Sequence, residues 1–247
     1  MLRLLKQWAL AFLVPRPLVG IFFLPRYIAH WRRFAAAPAA PRLRLADSYP
    51  CLTDWVASTP FDPHYFYQGA WLARQLATRS VPRHVDIGSS VMMLSVMSAW
   101  VPTVFVDFRP LRAGLEGIES VAGTINALPF ADAALPSLSC LHVIEHVGLG
   151  RYGDPIDPEG ARRAAAELAR VLAAGGRLYL STPVGRERVC FNAHRVFAPA
   201  TIAAWFGDFR LVRFSLVDDA GCFHDDVLPA AADGLDYGCG MFVFERA

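Results

Sequence analysis

Residues 83–108, RHVDIGSSVMMLSVMSAWVPTVFVDF, contain a short apolar run, a glycine turn, a helical segment and a second apolar run. The first run ends in Asp86-Ile87-Gly88, and the second ends in Asp107. The two runs have the length and composition of strands, whereas the segment between them has the spacing of a helix. A strand, a helix and a strand in this order are typical of a unit with two parallel strands.

The same alternation continues on both sides of this unit. Residues 63–79 have helical apolar spacing, and Asp62 with Pro63 supplies an N-cap and a first-turn proline. The segments downstream have the patterns of a helix from Leu111, strands at 120–125 and 138–144, a helix over 158–176 and a strand at 177–183. Such an order predicts an α/β protein with a doubly wound, mostly parallel sheet.

The C-terminal part of the chain changes this rhythm. Residues 209–217 and 239–246 have strand patterns, with no helical pattern between them. They predict an antiparallel hairpin that closes the sheet.

The composition predicts a globular protein whose charge is unevenly distributed. The 247 residues are 54% hydrophobic and 19% charged, which is sufficient for a substantial core. Residues 1–46 carry eight basic residues and no acid, although the formal net charge of the whole chain is only +2. The rest of the chain is therefore acidic overall, and no binding of nucleic acid is expected.

Residues 1–46 are predicted to form a basic, apolar arm and linker, followed by a domain over residues 47–247. Arg3, Lys6 and Gln7 fall on one stripe of a helix and leave a broad apolar face. This pattern favours a helix lying on an anionic membrane at its cytoplasmic face over one that crosses it. Two other interpretations are left open: a secretory signal peptide, and packing of the arm on its own domain or on a second subunit.

The cysteines indicate a reducing compartment. They are odd in number, scattered and without a C-x-x-C pair: Cys51, Cys140, Cys190, Cys222 and Cys239. We expect reduced thiols, mostly with packing roles, in a cytoplasmic protein.

Residues 140–148, CLHVIEHVG, contain the H-x-x-E-H pattern of a class of zinc peptidases at His142, Glu145 and His146. A zinc site of that class needs both histidines on one face of a helix. Here the preceding residues have a strand pattern, so His142 falls near the end of the fourth strand, and Glu145 and His146 fall in or just past the following turn. The sequence therefore argues against this zinc site, and no metal is predicted.

Ligands of doubly wound sheets bind outside the carboxyl ends of the strands. Gly88 follows the first strand and allows close backbone approach to a ligand. Asp107 ends the second strand, nineteen residues further on, where an acid can accept hydrogen bonds from two ribose hydroxyls. INALPF, residues 125–130, follows the third strand, and HVIEHVG, residues 142–148, follows the fourth.

This series of motifs resembles the class I S-adenosylmethionine-dependent methyltransferases. Within that superfamily, YFYQ at 65–68, VDFRP at 106–110 and HVIEHVGLGRYGDPIDPEG at 142–160 are most similar to the domain-of-unknown-function family 268. The resemblance covers about residues 61–247 and leaves the arm outside. It implies a Rossmann-like, seven-stranded sheet and S-adenosyl-L-methionine as the cofactor.

The resemblance also implies roles for individual residues at the cofactor site. Asp86, Gly88 and Ser89 would face the methionine part, Asp107 would hold the ribose, Phe108 would lie against adenine, Ile125 and Asn126 would border the adenine edge, and His142 would close the floor beneath the sulfonium. Two departures from the superfamily pattern stand out. Ser90 replaces the second glycine, where it crowds the cofactor or offers a hydroxyl to its carboxylate, and the usual acid before L-P-F is missing.

Methyl transfer to a hydroxyl group requires positioning and removal of a proton. His146 is the predicted base, with Glu145 orienting it, because both follow the fourth strand at the predicted cleft. The loop after the fifth strand offers Asn192, His194 and Arg195 on the acceptor side. We therefore predict O-methylation of a hydroxylated small molecule or glycan, of sugar or glycolipid type, in envelope or polysaccharide metabolism.

Two alternative functions are left open. A nicotinamide-dependent oxidoreductase also needs a glycine turn and a ribose acid, but GSSVMM lacks the G-x-G-x-x-G pattern of that class. A non-catalytic methyltransferase-like scaffold at a membrane is compatible with the departures at Ser90 and Thr124.

Overall fold

The structure is a computed structural model that describes the backbone of residues 15–247 and the side chains from Gly20 onward. The helical stripe predicted for Arg3, Lys6 and Gln7 lies outside the described residues. The chain divides into two compact units, one ending at Phe61 and the other spanning Asp62–Ala247. This division lies later in the chain than the predicted boundary after residue 46, and the predicted extent of the arm stays a prediction.

Helices and strands alternate along most of the second unit. The first unit contains helix α1 (Pro15–Ala35); the second contains α2 (Pro63–Ala77), β1 (His84–Ile87), α3 (Val91–Met97), β2 (Thr103–Asp107), β3 (Ile118–Ala122), β4 (Leu135–Leu141), α4 (Gly160–Val171), β5 (Leu172–Val184), β6 (Arg188–Cys190), β7 (His194–Val196), α5 (Pro199–Trp205), β8 (Phe209–Val217), β9 (Phe223–His224) and β10 (Gly238–Arg246). Short 3₁₀ turns occur at Leu45–Asp47, Ile144–His146 and Pro229–Ala232.

The main sheet of the second unit has the order β3-β2-β1-β4-β5-β10-β8-β9. Strands β1 to β5 pair in parallel, whereas β10 pairs antiparallel with both β5 and β8. The predicted mostly parallel sheet with an antiparallel C-terminal end is therefore confirmed. The sheet has eight strands instead of the expected seven, because the two residues of β9 add to its edge by pairing with β8.

Both faces of the sheet are covered by helices. Trp71 and Leu76 of α2 pack with Met97 of α3 in one buried cluster, which also includes strand residues of β5 and β10. Leu168 of α4 and Ile202 of α5 belong to a second cluster on other strand side chains. Strand β1 is buried along its whole length, as expected for a central parallel strand.

Local sequence signals explain where α2 begins and why no helix follows β2. The Asp62 carboxylate accepts hydrogen bonds from the backbone N–H groups of His64 and Tyr65, so the predicted N-cap of α2 is confirmed. The helix predicted from Leu111 is wrong, because the segment between β2 and β3 is a loop. Gly114 and Gly117 lie within it, and Gly117 has a φ of +82°, which a continuing helix cannot accommodate.

In the first unit, α1 is followed by a segment that returns to it. The Arg26 guanidinium donates a hydrogen bond to the Leu52 carbonyl at 3.0 Å and lies 4.5 Å from the ring centre of Trp55. Several large apolar side chains of α1 remain exposed, among them Phe22 at 82%. Within residues 15–247, no helix combines the length and apolar character required to cross a bilayer.

Candidate functional site

The carboxyl ends of β1, β2 and β4 lie side by side and place three predicted site residues together. Strand β1 pairs with β2 through Ile87 and Val106, and with β4 through Asp86 and Ser139. Gly88, Asp107 and His142 therefore lie at one edge of the sheet. This is the edge at which the strand order of doubly wound sheets creates a ligand crevice.

Gly88 and Asp107 form a narrow recess at this edge. Gly88 has a φ of +66°, and a Cβ atom there would lie 3.3 Å from Asp107 Oδ2 and 3.3 Å from Val143 Cγ1. Asp107 Oδ1 accepts a hydrogen bond from the Arg109 backbone N–H at 2.6 Å. The recess thus combines an absent side chain with a fixed carboxylate, which suits the ribose of a nucleoside.

Two cavities open on this recess. Cavity A has a volume of about 480 Å³, is bordered by Gly88 and Asp107, and extends past Phe108, Ile125 and Asn126. Cavity C, of about 410 Å³, shares Gly88 and Asp107 and extends towards Ser89 and Ser90. Of the predicted cofactor residues, the structure therefore brings these seven, together with His142, around two cavities that share Gly88 and Asp107.

A third space, cavity B, has a volume of about 510 Å³ and adjoins cavity A. His142, His146 and Tyr152 border both cavities. The other walls of cavity B are mostly polar or aromatic and include His64, Tyr65, Arg151, His194, Asp218 and Tyr237. Burial lowers the pKa of His64 to about 4, so its imidazole is neutral near pH 7.

Glu145 orients His142, not His146 as the sequence suggested. Glu145 Oε1 lies 2.8 Å from His142 Nδ1, whereas it is 3.7 Å from His146 Nε2. His142 Nε2 in turn lies 3.3 Å from Cys239 Sγ. Both nitrogens of His142 thus have protein partners, and although burial lowers its pKa, Cys239 and Glu145 outweigh burial and raise it well above 6.5.

His146 is instead oriented by the chain between β6 and β7. Its Nδ1 lies 2.6 Å from the Ala193 carbonyl oxygen, which can only accept a hydrogen bond, so Nδ1 carries the proton and Nε2 has the free lone pair. Burial lowers the pKa of His146, which favours the neutral ring. A neutral imidazole with a free Nε2 at the junction of two cavities is suited to accepting a proton.

Three other predicted site residues have different positions from those expected. Asp86 is fully buried, accepts hydrogen bonds from the Ser89 N–H and the Ser139 hydroxyl, and shapes the turn without bordering a cavity; burial raises its pKa to about 6. Arg195 is buried, and its guanidinium donates to backbone carbonyls, including Val147 O at 2.6 Å. Asn192 is exposed and borders none of the three cavities.

Sequence reasoning missed the aromatic wall of cavity B. Tyr65 and Tyr237 come from α2 and the segment before β10, and their rings lie near His142 and His64, with centroid separations of 5.5 Å and 5.2 Å. Tyr65 could have been found from the sequence, because it begins the YFYQ motif that contributed to the resemblance. Tyr237 and Cys239 had no such signal, since only the pairing of β10 with β5 brings them to this edge.

Replacing Gly88 by alanine is expected to weaken binding of S-adenosyl-L-homocysteine by about tenfold or more, because a Cβ would occupy the recess beside Asp107. Isothermal calorimetry on the folded variant measures the effect. The matched control is Gly175→Ala: Gly175 has a φ of +67°, but a Cβ added there would meet no atom within 4 Å. Equal affinities in both variants would show that the recess does not contact the ligand.

Comparisons with known proteins agree with this architecture. The profile of a family described as "Caenorhabditis protein of unknown function, DUF268" matches residues 131–220. No curated protein sequence matches the chain. The N-methyltransferase NodS from Bradyrhizobium japonicum WM9, solved in complex with S-adenosyl-L-homocysteine, is 15% identical with a TM-score of 0.53, covering 87% of this chain and 95% of NodS.

Two further solved structures have the same fold. The YcgJ protein from Bacillus subtilis is 15% identical with a TM-score of 0.51, covering 74% of this chain and 99% of YcgJ. The [4+2]-cyclase SpnF is 12% identical with a TM-score of 0.50, covering 73% of this chain and 80% of SpnF. The class I methyltransferase fold is thereby confirmed, and the resemblance to family 268 is confirmed over residues 131–220. A cyclase among these structures means that the reaction must be argued from the site.

Proposed function

We propose that this protein transfers a methyl group from S-adenosyl-L-methionine to a hydroxyl group of an acceptor bound in cavity B. The observation that carries the proposal is the shared wall of the two cavities. His142, His146 and Tyr152 border both cavity A and cavity B. A ligand held at Gly88 and Asp107 and an acceptor in cavity B would therefore meet at the same three side chains.

The residues around cavities A and C fit the cofactor. The Asp107 carboxylate, beside the recess at Gly88, would accept from the ribose hydroxyls. Phe108, Ile125 and Asn126 would border adenine in cavity A, and the polar groups of Ser89 and Ser90 lie on the side suited to the methionine part. When bound, the cofactor would supply an electrophilic methyl group.

Cavity B has the character expected for a hydroxylated acceptor. Its volume of about 510 Å³ lies within the range of small-ligand sites. Tyr65 and Tyr237 offer flat apolar surfaces, while Arg151, His194 and Asp218 offer donors and acceptors in the same cavity. Apolar faces combined with several hydrogen-bonding groups favour a sugar or glycolipid, and we place the reaction in envelope or polysaccharide metabolism.

His146 is the proposed general base. Its neutral Nε2 would accept the proton of the acceptor hydroxyl as the oxygen attacks the methyl carbon. Glu145 Oε1, at 3.7 Å from Nε2, would stabilise the imidazolium that results. Glu145 thus assists His146 through charge, while its short contact holds His142.

Methyl transfer from isotopically labelled S-adenosyl-L-methionine tests this function. The acceptors to compare are polysaccharide and glycolipid fractions, free amines and a carboxylic acid. We expect the label in a glycan fraction. The labelled group should resist mild alkali, because methylation of a hydroxyl gives a methyl ether, whereas mild alkali releases methyl esters. Label only in amines or esters would contradict the hydroxyl acceptor.

The arm is proposed to hold the protein on an anionic membrane at its cytoplasmic face. Ile21, Phe22 and Phe34 of α1 are each more than half exposed, and Arg32 and Arg33 lie in its last turn. Burial of apolar side chains in the headgroup region and attraction of arginine to anionic lipid would act together.

Replacing Phe22 by serine is expected to weaken partition into anionic liposomes by about 10- to 150-fold, since a fully buried phenylalanine contributes about 1.5–3 kcal/mol. Flotation of the full chain with anionic and neutral liposomes measures the change. Met92→Ser removes another exposed apolar side chain, 75% exposed in α3, and should leave partition unchanged. If the wild-type chain ignores both kinds of liposome, the membrane proposal is wrong.

A further inference from the structure

Three side chains of types that bind metal ions converge at the wall of cavity B. His64 comes from the first turn of α2, His142 follows β4, and Cys239 lies in β10. One imidazole nitrogen from each histidine and the thiol sulfur all lie within 4.8 Å of one another. The proposed methyl transfer gives Cys239 no role, and its side chain is fully buried.

The separation between two of these three atoms is close to that in a zinc site. Zn–N bonds of about 2.0 Å and Zn–S bonds of about 2.3 Å place N and S about 3.5 Å apart at a tetrahedral angle. His142 Nε2 and Cys239 Sγ are 3.3 Å apart. The His64 nitrogen lies no more than 4.8 Å from the other two atoms. It therefore needs to move inward by no more than about 1–1.5 Å to reach the separations of zinc ligands.

A carboxylate already fixes the orientation of one of these ligands. Glu145 Oε1 lies 2.8 Å from His142 Nδ1 and holds a proton there, so the nitrogen that a metal ion would deprotonate and bind is Nε2, which faces Cys239. Glu145 is fully buried and also accepts a hydrogen bond from the Thr182 hydroxyl at 3.4 Å. A buried carboxylate on the second nitrogen of a histidine is the usual support of zinc-bound imidazole.

We propose that His64, His142 and Cys239 bind one Zn²⁺ ion, with a fourth position open to cavity B. Two imidazoles and a thiolate suit zinc, whereas Mg²⁺ and Ca²⁺ require oxygen ligands. The thiolate and the Glu145 carboxylate together balance the charge of the ion. Binding forms one Zn–S bond and two Zn–N bonds, and it releases the protons carried by Cys239 Sγ and His142 Nε2 to solvent.

This set differs from the H-x-x-E-H pattern that the sequence argued against. His146 has its Nδ1 on the Ala193 carbonyl and is not a ligand in this proposal. His64 and His142 both border cavity B, so a molecule that enters this cavity could complete the coordination. The proposal does not depend on methyl transfer, because metal binding is measured directly.

The full chain, treated with a chelator and then freed of it, should take up one equivalent of Zn²⁺ that survives gel filtration. With Co²⁺ in place of zinc, it should show thiolate-to-cobalt charge-transfer absorption. Cys239→Ala should abolish this absorption and weaken Zn²⁺ binding by about 100-fold or more. Cys140→Ala is the matched control, because Cys140 is an equally buried cysteine in β4, which β5 separates from β10.

His64→Ala provides an independent test if Cys239→Ala does not fold. The His64 ring is only partly buried, and its loss should weaken Zn²⁺ binding by about 10- to 100-fold while circular dichroism stays unchanged. No zinc uptake by the wild-type chain would overturn the proposal and leave a metal-free thiol–imidazole pair. Wild-type affinity in folded His64→Ala or Cys239→Ala would overturn it as well.

Discussion

Replacing His146 by alanine is expected to lower turnover by about 10²- to 10⁴-fold, with little change in the affinity for S-adenosyl-L-homocysteine. The reason is geometric: the Ala193 carbonyl holds the proton on Nδ1, so Nε2 is free to accept one at the junction of cavities A and B. Release of S-adenosyl-L-homocysteine, with the hydroxylated acceptor that supports wild-type turnover, measures the rate. Calorimetry measures the affinity.

The pH profile separates a base from a structural residue. Burial lowers the pKa of His146, so the neutral, active form should persist below pH 6.5. The wild-type rate should then fall as the pH drops through this lowered pKa, and His146→Ala should lose that dependence. His30→Ala is the control and should keep full activity, because His30 lies in α1, outside the unit that contains the site. If His146→Ala loses cofactor affinity as much as turnover, the residue has a structural role.

Replacing Asp107 by alanine is expected to weaken binding of S-adenosyl-L-homocysteine by about 10- to 150-fold, which corresponds to about 1.5–3 kcal/mol for charge-assisted hydrogen bonds. Asp107 borders both cavities A and C, and its Oδ2 faces the recess at Gly88. Asp208→Ala, on an exposed turn before β8, is the matched control. Unchanged affinity in the Asp107 variant would remove this carboxylate from the site.

The succession of strands along the chain was predictable, because apolar runs and glycine turns are local signals. The loop that begins at Leu111 was not predictable, because its leucine, arginine and alanine residues favour a helix and only Gly114 and Gly117 oppose one. The eighth strand also escaped prediction. Strand β9 is only two residues long, and it exists through its pairing with β8.

The site was predictable where its residues follow the strands directly. Gly88, Asp107 and His142 have that position, and the register of β1, β2 and β4 brings them together. The partner of Glu145 was not predictable, because Glu145 is three residues from His142 and one from His146, and either spacing allows a contact. Arg195 was assigned to the acceptor side because it lies in the loop after the fifth strand, whereas in the structure its guanidinium is buried and donates to backbone carbonyls.

The recess at Gly88 and Asp107 is expected to bind a methyltransferase cofactor. The most direct measurement is calorimetric titration of the wild-type full chain with S-adenosyl-L-homocysteine and, separately, with NADH. We expect one saturable site for S-adenosyl-L-homocysteine and no measurable heat from NADH. Saturable NADH binding without S-adenosyl-L-homocysteine binding, or no binding of either ligand by folded protein, would contradict it.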